Sequence, residues 1–152
     1  MPTHSTALRS TGLLLVLCLA AGCQSTPSKS GGGGGGEVHS EFPASRQTSQ
    51  GKYFVTYLPN PLPVRVNEPF SLDVRVFRDA ALSKPAYGVQ VKVDAEMPAH
   101  HHGMTLTPAI RRTGDGAFLV TGMLLHMPGD WELLVDVIED GKSQRARFEL
   151  HL

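Results

Sequence analysis

From about residue 51 onward the chain alternates apolar and polar positions with a period of two, the pattern of strands with one buried face. Phe70, Leu72, Val74 and Val76 face one way, and Ser71, Asp73 and Arg75 the other. Val89, Val91, Val93 and Ala95 alternate with Gln90, Lys92, Asp94 and Glu96. Trp131, Leu133, Val135 and Val137 make the inward row of a later strand. Ala146, Phe148, Leu150 and Leu152 close the domain against outward Arg145, Arg147 and Glu149. Two more extended runs are predicted over 52–57 and 117–125, the second entered through the Gly114-Asp115-Gly116 turn. Asp140-Gly141 is a hairpin signal. No window carries a helical period. Short alternating runs broken by turns predict an all-β, immunoglobulin-like antiparallel sandwich of about seven strands over residues 51–152.

The first fifty residues follow another pattern. Arg9 precedes an apolar run from Leu13 to Ala21. It is shorter than the roughly 20 residues a spanning helix needs, which marks an export signal over residues 1–22. Leu19-Ala20-Ala21-Gly22-Cys23 resembles the lipobox of bacterial lipoproteins. That resemblance implies cleavage before Cys23, lipidation of its thiol, and attachment to a membrane through the lipid. Gln24, where that group can carry Asp, implies a place in the cell envelope on the outer membrane, facing the periplasm. Residues 23–50 then read as a tether of serines and six glycines, Gly31 to Gly36. Such a composition cannot bury enough apolar surface to fold, and it spans about 30 Å as a flexible coil.

Composition removes several functions. Cys18 leaves with the signal and Cys23 is taken by the lipid, so the domain has no thiol for a disulfide, a zinc–cysteine site or a nucleophile. Loss of Arg9 leaves 13 of the 14 basic residues against 14 acidic ones, without the basic footprint of a nucleic-acid binder. No GxSxG, HExxH or phosphate-loop motif is present, so no enzyme is expected.

Methionine and histidine cluster instead. Outside the initiator, every methionine lies between residues 97 and 127: Met97, Met104, Met123 and Met127. His100, His101, His102 and His126 share that interval. Met97 and Met123 fall on inward strand positions, where methionine fills cores. The run from Pro98 to Met104 should be a connection between strands; if extended, it would point His100, His102 and Met104 to one side. Thioether sulfur and imidazole nitrogen together suit Cu(I). Absence of carboxylates beyond Glu96 in the first group argues against calcium or magnesium. His100, His102 and Met104 are the leading metal ligands, with Met127, His126, Met97 and Met123 behind them.

Met97-Pro98-x-His100-x-His102-Gly103-Met104, followed by Met127-Pro128-Gly129-x-Trp131, resembles the YtkA-like domain, to which FixH proteins are related. The resemblance implies an exported immunoglobulin-like sandwich. FixH-type relatives are associated with copper delivery to oxidases, so it also implies an envelope copper protein or an oxidase assembly factor as partner. The expected function is a lipid-anchored envelope module that binds or transfers copper. The alternative is a metal-free adaptor that docks on another envelope protein.

Overall fold

A computed structural model describes residues 44–152. The export segment, Cys23 and the tether up to residue 43 lie outside the described residues. The strands are β1 (Ser45–Gln47), β2 (Phe54–Asn60), β3 (Phe70–Phe77), β4 (Gln90–Met97), β5 (His102–Gly103), β6 (Ala109–Gly114), β7 (Ala117–Met123), β8 (Asp130–Glu139) and β9 (Lys142–His151). One turn of 3-10 helix, Pro98–His100, joins β4 to β5.

They form two antiparallel sheets, one ordered β1-β2-β3-β7-β6 and the other β5-β4-β8-β9. The order β2-β3-β7-β6 against β4-β8-β9 is the four-plus-three arrangement of immunoglobulin-like domains. The seven strands of that arrangement have six residues or more, and β1 and β5 are short additions at sheet edges. Inward rows meet between the sheets: Val55 and Tyr57, Leu72, Val74 and Val76, Val93 and Ala95, Phe118 and Val120, and Trp131, Leu133, Val135 and Val137 are all buried. Tyr57 meets Phe148 edge-on across the core, with ring centroids 4.7 Å apart. Such aromatic contacts add about 0.5–1.5 kcal/mol beyond the burial of area.

Two boundaries differ from the sequence reading. The domain begins before Gly51: Ser45–Gln47 pairs with Phe54–Thr56. The chain then crosses to the second sheet, where Ser49 N–H bonds the Arg145 carbonyl at 2.8 Å. Thr48 donates its hydroxyl to Gln144 Oε1 at 2.9 Å, with both residues buried. This polar clamp has no hydrophobic alternation to announce it. Strand β6 is the other addition. Every residue of it is exposed, so neither face carries an apolar row. Pro59 lies within β2, which runs past the extended stretch expected over 52–57. Beyond Thr56 that strand has no neighbour on its β1 side, so the missing proline N–H is not needed there.

Candidate metal centre

Strand β4 ends at Met97, and Pro98 opens the 3-10 turn. Pro98, Ala99 and His100 are exposed. His101 closes the turn in the left-handed region at φ 53°, its N–H reaching the Pro98 carbonyl at 3.4 Å. The segment is therefore wound and not extended. It returns the chain as β5, where His102 pairs with Met97 and Gly103 with Glu96. Residues directly opposite in such a ladder share a face, so His102 lies beside buried Met97.

The second group reaches the same place from the other sheet. After β7 the chain runs through Leu125, which is buried, to His126, Met127 and Pro128, and enters β8 at Asp130. Gly129 pairs its backbone with Leu152 in both directions, at 2.8 and 3.1 Å. A Cβ on Gly129 would lie 3.0 Å from Met97 Cε. The end of the Met97 side chain thus rests against this turn.

Three imidazoles and one indole meet here. The His100 and His102 ring centroids are 5.7 Å apart, and those of His102 and His126 are 5.3 Å apart. Trp131, buried at the start of β8, meets His102 edge-on at 5.9 Å and His126 edge-on at 5.5 Å. Its indole N–H donates to the Met127 carbonyl at 3.0 Å. His102 Nδ1 faces the His100 carbonyl at 3.4 Å. His102 Nε2 and His126 Nδ1 are both buried without a hydrogen-bond partner. Leaving a polar atom in that condition costs about 1–3 kcal/mol. The two nitrogens lie on adjacent rings.

The spacing suits an ion. Two imidazoles sharing one metal at ~2.0 Å place their centroids about 4.5–6.3 Å apart, according to the N–metal–N angle. A tautomer with the proton on Nδ1, facing the His100 carbonyl at 3.4 Å, would leave Nε2 as the metal-binding nitrogen of His102. Among the described residues no three His, Cys, Asp or Glu side chains are placed to hold one ion. A centre here would have two imidazoles and would complete itself with sulfur.

The seven sequence candidates thus separate. His102 and His126 form the core pair, His100 stands outside them, and Met97 is the thioether set beside His102. Met104 and Met127 are half-buried and pack at the margin of the core; the Met104 N–H bonds the Ala95 carbonyl at 3.0 Å. Met123 is fully buried at the end of β7, opposite Phe70 on the neighbouring strand β3 of the same sheet, away from the sheet that carries β4, β5 and β8. Trp131 was legible only as a core residue. Its part in the cluster depends on which rings the fold brings against it.

No family model and no curated protein matches the sequence. Among solved structures the chain is similar to a DUF4426 family protein from Pseudomonas aeruginosa PAO1, with 16% identity and a TM-score of 0.47. That likeness covers 70% of this chain and 96% of that one. The chain is also similar to a copper-bound variant of FetP from uropathogenic Escherichia coli strain F11, with 5% identity and a TM-score of 0.45. Here 70% of this chain and 89% of that one are covered. Identities this low say nothing about shared ligands.

Proposed function

We propose that the domain is a lipid-anchored cell-envelope module that binds and transfers copper as Cu(I), held by His102, His126 and the Met97 thioether. The observation that carries this reading is the adjacent pair of buried imidazole nitrogens without partners, His102 Nε2 and His126 Nδ1. Thioether and imidazole ligands favour Cu(I) over harder ions. Trp131 shields the inner side of both rings, so the ion would sit in a dry, few-coordinate place suited to ligand exchange. The paired MPxHxHGM and MPGxW segments are the reason to place the chain among YtkA-like proteins. The lipobox-like junction at Cys23 is the reason to place it on a membrane, with an envelope copper protein or oxidase assembly factor as its exchange partner. No catalytic role is proposed.

The test is an anaerobic Cu(I) titration of the full chain against a competing chelator, with His102→Ala and His126→Ala alongside. One equivalent held by the unaltered chain and lost in both variants supports the reading. Failure to compete with the chelator overturns it and leaves the metal-free adaptor. X-ray absorption on the loaded protein checks the ligand set: a first shell without sulfur removes Met97 from it.

A further inference from the structure

We propose that His100 is the entry ligand of this centre: copper binds first between His100 and His102, then moves inward by exchanging His100 for His126 and Met97. The proposal rests on the copper reading above and adds a route to it.

The three imidazoles form a chain and not a triangle. His102 contacts His100 on one side and His126 on the other, while His100 and His126 make no ring contact. Both spacings fall within the range that two imidazoles on one ion allow. Exposure falls along the chain: His100 is exposed, His102 and His126 are half-buried, and Met97 and Trp131 are buried. The fold places His100 outside on purpose-built backbone. Pro98 starts the turn, and the left-handed His101 ends it and sends the chain back toward Met97. His100 is thereby held at the solvent end of the row without being drawn into it.

The chemistry needs no change of oxidation state. In the first step Cu(I) gains the exposed His100 and then His102 Nε2, whose ring must turn outward because that nitrogen is buried, as its donor's ligands leave. In the second it gains His126 and the Met97 sulfur as the bond to His100 breaks. His102 stays bound through both steps, so the ion is never released. A residue acting in this way lowers the barrier in both directions without changing the end state, so uptake and release must slow together when it is removed.

Trp131 is the single tryptophan of the chain and touches both inner rings, so its fluorescence reports the inner centre. The experiment mixes the full chain with a Cu(I)–acetonitrile complex in a stopped-flow cell, then strips the loaded chain with a bathocuproine chelator. In His100→Ala the equilibrium affinity should stay within roughly threefold while uptake and release both slow about tenfold or more. His101→Asn, which tolerates the left-handed backbone, should leave both rates unchanged. His126→Ala should lose affinity outright. The proposal is overturned if His100→Ala loses affinity as His126→Ala does, which would make His100 a ligand of the resting centre. Unchanged rates in His100→Ala also overturn it. If the unaltered chain binds no Cu(I), the copper reading itself falls and the route with it.

Discussion

The Trp131 indole N–H donates to the Met127 carbonyl, four residues back along the chain, at 3.0 Å. This bond ties the first residue row of β8 to the turn that carries His126. The same ring packs edge-on against His102 and His126. A core side chain therefore sets the position of both inner imidazoles.

Trp131→Ala should cost about 3–5 kcal/mol of folding stability, the range for truncating a buried aromatic. Trp131→Phe refills most of the volume but leaves the Met127 carbonyl without its donor, so a loss of about 1–3 kcal/mol is expected. Urea unfolding of both variants measures the difference. A loss near zero in Trp131→Phe would mean that the hydrogen bond contributes nothing.

Met97→Leu separates packing from ligation. The swap conserves volume and should cost less than about 1.5 kcal/mol. If the thioether is a ligand, Cu(I) affinity should nevertheless fall by about tenfold or more, equivalent to ~1.4 kcal/mol. Chelator competition on a variant shown to be folded by circular dichroism reads this directly.

Two turn glycines should respond differently to alanine. Gly141 has φ 73° with open space where a Cβ would go. Alanine there meets only the left-handed penalty, about 1–2 kcal/mol. At Gly116, φ 60°, a Cβ would stand 2.4 Å from the Val76 carbonyl oxygen and 2.9 Å from Ala86 N. Those two backbone groups hydrogen-bond each other, so neither can yield freely. Gly116→Ala should cost about 3 kcal/mol or more. Thermal melts of the pair test the ranking.

Acid should act through Glu139. The Arg78 guanidinium, then Lys52 and the Tyr53 hydroxyl, hold its carboxyl down from 4.5 to about 2. Tyr53 donates at 2.6 Å, and both cations also lie over the Tyr53 ring. A carboxyl bound more tightly as its anion contributes fully above its unfolded value and loses that contribution as pH falls. The melting temperature should thus drop from about pH 4.5 toward pH 2. In Glu139→Gln it should be lower at neutral pH and flatter across that window. An acid limb of unchanged slope would show that other groups control it.

Cys23→Ser should move the protein from the membrane fraction to the soluble fraction of exporting cells. Continued membrane association would remove the lipid anchor from the account.

The period-two rows at 70–76, 89–95, 131–137 and 146–152 were legible because each buries one face against a single core. Burial imposes alternation on the residues themselves. The Asp140-Gly141 hairpin was legible because its backbone demands positive φ, observed at 50° and 73°. Strands β1, β5 and β6 left no such mark. The first is held by a polar clamp, the second has two residues, and the third is exposed on both sides. Leu134 shows the same limit from the other direction. It occupies an outward position of β8 yet is buried, and Pro108 and Ile110 line the groove beside it.

The amino-acid sequence by itself determined that this is a sandwich, where its core rows run, and that histidine and methionine concentrate in two short segments. Those are properties of local pattern and count. Only the tertiary structure decided that the segments meet, that Met97 and not Met104 lies opposite His102, and that Trp131 joins the cluster. Which residues touch depends on how the two sheets stack and how the Pro98–His101 turn redirects the chain. That is a matter of long-range packing, which no periodicity along the chain records.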